Sequence, residues 1–569
     1  MSKIIIYQIF TRLFGNTTTN CQLHADRQQN GVGKFQDITT SALQEIKKIG
    51  ITHVWYTGII EHALVDGYSK QKIKGHNPLI VKGRAGSPYA ICDYYDVNPD
   101  LAVNVENRMQ EFEELVTRTH KEGLKVIIDF VPNHLARQYK SDKSPEGISD
   151  FGANDNTIKA FDNQNNFYYL PGNELVLPNE LMHKTWEHYV FESYTEFPAK
   201  ATGNDKFHHF LDINDWYETV KLNYGINYQT GERIFDPVPD TWNKMLDILM
   251  YWAAKKVDAF RCDMAEMVPV EFWNWVIPKV KNQFPEILFL AEIYNPVQYA
   301  NYLNFGYFDY LYDKVGLYDA VKRIIQEKAG VNDLTQCWQQ LNGHDDKMLR
   351  FLENHDEERI ASRFFVGNPL AAIPGVVVSL MMNNGPFMLY FGQEVGEPAI
   401  GESGFSGDDG RTTIFDYWNV PEHQKWMNNG KFDGAQLSLE QKQLRETYKF
   451  LMNFALENEA FSEGKFYDLM WINQQNEGMN SGKVFAFLRY TKSQQFLILS
   501  NFSANDTIVN LIIGEHALQE MNYERNKTIH LNNLTNGNQN QVSYSEIMTT
   551  GLKIKIPVYG YSIIKISMI

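Results

Sequence analysis

Short apolar runs alternate along this chain with stretches whose apolar residues recur at helical spacing. The opening run from Ile4 reads as a strand. Leu43, Ile46 and Ile49 then mark a helix closed by Gly50, and residues 51–57 read as a second strand. A helix from about Val105, with Met109, Phe112, Val116 and Thr119 on one face, ends at Gly123, and 124–130 is a continuous apolar run of the buried-strand kind. The rhythm resumes with Asp240 as N-cap of a helix burying Trp242, Met245, Leu246, Leu249 and Met250. The strand carrying Arg261 and Asp263 follows, then a helix over Val270–Gln283 whose Trp273 and Trp275 read as core. Residues 287–291, 307–311, 349–352 and 387–391 complete eight strand candidates.

Eight strands alternating with helices predict an α/β fold, a (β/α)8 TIM barrel. The barrel is assigned to residues 1–134 and 230–455. Residues 135–229, rich in Asn, Asp, Gly and aromatics, are too long for an ordinary connection and read as a subdomain inserted after the third strand. Residues 456–569 change texture, with short strands at 484–490 and 496–502, turns and an Asn/Gln-rich loop at 532–541. Lacking helical periodicity, they predict a C-terminal antiparallel β-sandwich domain.

Composition narrows the partners. A net charge of −16 over 569 residues disfavours nucleic acid and anionic membranes, leaving neutral or cationic ligands. The four cysteines have no metal-binding or disulfide-scaffold spacing and read as reduced thiols. The first residues lack the apolar core and cleavage site of a signal peptide, so a cytoplasmic location is expected.

The chemistry points to strand ends. Side chains alternate faces, so Arg261 and Asp263 emerge on one side, and the guanidinium is expected to keep Asp263 ionised, as a carboxylate nucleophile requires. Asp129, Glu292 and Asp356 also end strands, and His355 directly precedes Asp356. Acids converging on one barrel mouth repel, so one of them keeps its proton. Glu292, with no cation beside it in sequence, is the expected general acid. A nucleophile and an acid so paired suit glycoside hydrolysis with retention.

The ordered segments Asp129-Phe130-Val131-Pro132-Asn133-His134, Ala259-Phe260-Arg261-Cys262-Asp263, Leu290-Ala291-Glu292 and the stretch from Phe351 to Asp356 resemble the four short motifs of the α-amylase family, glycoside hydrolase family 13. The resemblance implies Asp263 as nucleophile, Glu292 as acid/base and Asp356 as the carboxylate supporting the transition state. It further implies that Arg261, His134 and His355 hydrogen-bond the reacting sugar, that Tyr89 stacks on it, and that Asp129 orients Arg261. The implied substrate is an α-glucan or maltooligosaccharide. A transglycosylase would keep the same acids; a non-catalytic carbohydrate-binding relative would have no reason to.

Two departures stand out. Glu266 and Met267 occupy positions where many members have Lys and His, leaving Glu266 to pair with a base or to receive a sugar hydroxyl. The inserted segment has Val220-Lys221-Leu222-Asn223-Tyr224 in place of a Pro-Asp-Leu-Asn-like motif, and so lacks an aspartate that commonly helps bind calcium. Asn133 alone matches a ligand position. No cofactor is expected to be required, and calcium is left open but unsupported.

Overall fold

A computed structural model of the chain describes residues 3–184, 186, 191–479 and 482–568. Its centre is a closed parallel barrel of eight strands in sequence order: β1 Ile5–Phe10, β2 His53–Thr57, β3 Lys125–Phe130, β4 Ala259–Cys262, β5 Leu288–Ala291, β6 Tyr310–Tyr312, β7 Met348–Phe351 and β8 Phe387–Tyr390. The sixth strand starts later than its apolar run predicts, because Tyr307 turns the chain at φ +62°. Asp240 is the first helical residue of Asp240–Ala254, with Pro239 at the cap; its carboxylate pairs with Lys244 Nζ at 3.1 Å instead of capping the helix.

The period of two explains both layers of the barrel. Ile6, Trp55, Ile127, Ala259, Leu290, Tyr312, Leu349 and Met388 fill the interior. Their neighbours Ile5, Val54, Ile128, Phe260, Phe289, Leu311, Met348 and Phe387 face outward into the cluster under the helices. Continuing the inward alternation past the packed layer brings Asp129, Arg261, Asp263 and Glu292 to the C-terminal mouth. The ladder itself runs on that far: Asp263 N–H donates to Phe130 O at 2.9 Å and Glu292 N–H to Cys262 O at 3.1 Å.

After β3, His134–Ala136 pairs antiparallel with Thr219–Lys221, tying both ends of the inserted segment to the mouth. Between them a small apolar cluster, including Leu170, Leu175, Leu177, Ala199 and Leu211, gives this segment a core of its own. Leu439–Glu457 is a helix, and beyond it lie a six-stranded antiparallel sheet and a separate strand pair, Thr507–Leu511 with Leu552–Ile556. Contrary to the absence of helical periodicity, Glu515–Glu520 and Tyr544–Thr549 form short helices, each about one and a half turns. Segments this short cannot display a repeat. Among the described residues all four cysteines are free and no helix is long and apolar enough to cross a membrane.

Candidate active site

Arg261 is the hub of the mouth. Its NH1 donates to Asp263 Oδ1 at 2.7 Å and lies 3.5 Å from Asp129 Oδ1, while its NH2 pairs with Glu292 Oε2 at 2.7 Å. The expectation that Arg261 serves Asp263 and leaves Glu292 without a cation therefore needs correction. Adjacent strands in register place Glu292 beside Asp263, and the planar fork reaches both. Nor is Asp263 held in the ordinary carboxylate range: burial raises its pKa well above it, and the charges of Glu292 and Asp129 add to that against Arg261. Asp129 is fixed by Trp55 Nε1 at 3.1 Å and faces Arg261, as an orienting group would.

Glu292 is held at both oxygens. Tyr294 Oη donates to Oε1 at 2.6 Å and the Met264 N–H to Oε2 at 2.7 Å. Met264 has φ +43°, a left-handed conformation uncommon outside glycine, and that turn aims its N–H at Glu292. In contrast, Asp263 Oδ2 is buried and has no hydrogen-bond partner.

A second network surrounds Asp356. Gln8 Nε2 lies 2.8 Å from His355 Nδ1, across the ring from Nε2. That nitrogen lies 3.0 Å from Asp356 Oδ2 and 2.5 Å from Tyr89 Oη. Burial alone would raise the Asp356 carboxyl, but His355, Arg261 and Arg411 together bring it below its ordinary value. Tyr89 stacks on His355 with ring centroids 5.3 Å apart. Its loop depends on Gly86 at φ +72°, where an added Cβ would meet Ala63 O at 1.8 Å. His134 is buried against Trp216, and its pKa falls to about 3, first through burial and then through Lys221 and Lys82.

These groups border a cavity of about 280 Å³ lined by Tyr89, His134, Asp263, Glu292 and Asp356. Arg261 and His355, expected to bond the sugar, are not among the lining residues; they contact those that are, Arg261 at Asp263 and Glu292, His355 at Tyr89 and Asp356. Its other walls were not foreseen: Lys82, Trp216, Glu218 and Thr219 from the loop after β2 and the inserted segment, Tyr294, and Phe405 and Phe415 after β8. Only Tyr294 had a local signal, two residues beyond Glu292 and so on its face.

The "Alpha amylase, catalytic domain" family model matches residues 8–426, most of the chain and every strand of the barrel but the start of the first. The chain belongs to the alpha-amylase family. Alpha-amylase 3 of Dictyoglomus thermophilum is 22% identical over 81% of this chain and 78% of its own length. A cyclomaltodextrinase of Thermoanaerobacter pseudethanolicus is 22% identical over 76% and 61%. An alpha-1,4-glucan:maltose-1-phosphate maltosyltransferase of Cereibacter sphaeroides is 29% identical over 52% and 40%. In fold, the chain is similar to the alpha-amylase of Geobacillus thermoleovorans solved with acarbose, at TM-score 0.63 and 19% identity over 99% of this chain and 98% of that one.

Within this alpha-amylase family setting, the two departures acquire geometry. Glu266 Oε2 accepts the Asn295 N–H at 3.0 Å, so its partner is a backbone group and not a basic side chain. Lys221, in place of the motif aspartate, points its ammonium into the oxygen set itself. Nζ lies 2.5 Å from Asn133 Oδ1, 2.7 Å from Asp205 Oδ1 and 3.2 Å from Met267 O. A positive charge attached to the chain stands among these oxygens, and they do not fit a calcium ion as well.

Proposed function

We propose that this chain is a retaining glycoside hydrolase that cleaves α-glucosidic bonds of maltooligosaccharides, starch or glycogen. The observation that carries the reading is the unpartnered Oδ2 of Asp263, a residue that lines the cavity, beside a Glu292 whose two oxygens are positioned by other donors. In the first step Oδ2 attacks the anomeric carbon while Glu292 protonates the departing glycosidic oxygen, leaving a glycosyl ester on Asp263. Water, deprotonated by Glu292, then attacks the anomeric carbon, breaking its bond to Asp263, which releases the sugar, the Asp263 carboxylate and a reprotonated Glu292.

The electrostatics suit this division. Burial and the charges of Glu292 and Asp129 raise the Asp263 carboxyl, so a fully ionised mouth is unfavourable. Positive charge developing at the anomeric carbon favours the ionised form of Asp263, and Glu292, held by Tyr294 and the Met264 N–H, is the acid assigned to the leaving oxygen. Asp356, held low, stays ionised and contributes a negative charge to the transition state. Tyr89 and His134 supply an aromatic face and a neutral imidazole for the sugar ring and its hydroxyls.

The test is product analysis with maltoheptaose, pullulan and glycogen. Short maltooligosaccharides are expected from the wild type, with Asp263→Asn slower by at least about a thousandfold, the scale for loss of a covalent nucleophile. An Asp263→Asn rate equal to the wild type sinks the assignment. Products longer than the starting sugar would move it to glycosyl transfer.

A further inference from the structure

This inference rests on the reading above and concerns how the same cavity meets a chain. Besides the acids and His134, two charged residues line it, Lys82 and Glu218. Their charged atoms lie 3.4 Å apart, Lys82 Nζ to Glu218 Oε1, joining the loop after β2 to the inserted segment. Lys82 also lies over the rings of Tyr217, at 5.4 Å, and Phe415, at 5.9 Å, so the bridge is seated between aromatic faces. The Glu218 main chain is pinned by the Arg137 N–H, which donates to its carbonyl at 3.1 Å.

One atom of this pair is unexplained by the protein alone. Glu218 is only 4% exposed, yet its Oε2 has no hydrogen-bond partner. A buried carboxylate oxygen without a donor is unfavourable, and a ligand hydroxyl reaching into the cavity would supply one. The ammonium and carboxylate together offer donors and acceptors at the spacing of neighbouring sugar hydroxyls. Their side of the cavity is fixed by company. Lys82 lies close enough to His134 for its charge to act on that ring, and Tyr89, His134 and Trp216 share the same wall. Tyr89 and His134 are the groups assigned above to the sugar transferred to Asp263.

We propose that the Lys82–Glu218 bridge closes the pocket toward the non-reducing end of the glucan and binds the hydroxyls of its terminal glucosyl unit, so that the enzyme works inward from chain ends.

The experiment compares two maltoheptaoses, one free and one with its non-reducing 4- and 6-hydroxyls capped by an ethylidene group. The wild type is expected to cleave the free sugar at least tenfold faster. Lys82→Ala and Glu218→Ala should bring that ratio within threefold, chiefly by raising KM for the free sugar. Glu218→Gln, which keeps one acceptor oxygen, guards against a folding artefact and should fall between. Equal cleavage of both sugars by the wild type, or variants that keep its preference, overturns the inference alone. Cleavage of neither would bring down the hydrolase reading with it.

Discussion

Two buried cations hold this mouth together, and they do different work. Arg261 stands inside the barrel among three carboxylates, Asp263, Glu292 and Asp129, and spreads one charge over them through a rigid planar fork. Lys221 stands at the junction with the inserted segment and gathers one carboxylate, one amide oxygen and one main-chain carbonyl onto a point charge. The first set is acidic enough that burial still raises Asp263. The second is nearly neutral, and its members come from three separate segments. A guanidinium among acids tunes their chemistry, whereas an ammonium among mixed oxygens acts as a structural clasp.

The largest effect is expected where the fork is lost. Arg261→Lys keeps the charge but replaces the planar group that faces both acids with a single ammonium. Its kcat/KM on maltoheptaose should fall by about 10²–10³, on the order of 3–4 kcal/mol of transition-state stabilisation. A variant within threefold of the wild type would erase the distinction between the two cations.

Lys221→Met is expected to act on stability instead. It strands Asn133 Oδ1 and Met267 O, at about 1–3 kcal/mol for an unpaired buried group, while the half-exposed Asp205 adds little. Thermal denaturation should show a loss on the order of 5 °C. Lys221→Asn, with an oxygen in place of the ammonium, should be raised in melting temperature by millimolar calcium, and the wild type should be indifferent to calcium and to chelator. A wild type that chelator destabilises would break the comparison from the other side.

The smallest effect is graded and concerns protons. Burial lowers His134 to about 3, His62 and His423 to about 3, and His53 to about 4. Unfolded, each would titrate near 6.5, so below that pH the unfolded chain binds more protons than the folded one. Stability from these neutral imidazoles is complete above about pH 6.5 and is lost progressively as pH falls toward about 3. Urea titrations across that window should show midpoints dropping with pH, and His134→Gln should flatten the slope by about one proton. An unchanged slope would mean that His134 is not held neutral between Lys221 and Lys82.

How much was legible follows from what holds each part. The barrel strands were readable because both faces are buried, giving continuous apolar runs, and β6 was misplaced only where the turn at Tyr307 interrupts one. The interior of the inserted segment was not, because its folding relies on side chains bonding distant backbone, as Asn223 Nδ2 does to Asp162 O at 2.8 Å and Asn165 O at 2.9 Å. Such pairings have no period. The strand-end residues of the site were readable for the same reason as the strands. Lys82, Trp216, Glu218, Phe405 and Phe415 were not, since loops carry no rule for which side chain turns inward.

By itself the sequence determined which residues share a face: alternation along β4 ties Arg261 to Asp263, and the same alternation on β3 and β5 brings Asp129 and Glu292 to the mouth. Which of those acids the guanidinium would serve was a matter of strand register across the barrel. Tertiary structure gave Arg261 to Glu292 as well as Asp263 and put Lys221 among the oxygens around Asn133. The difference is physical. A pleat is a local constraint written every two residues, but a charge settles among whatever oxygens the whole chain brings within about 3 Å, and those come from segments far apart in sequence.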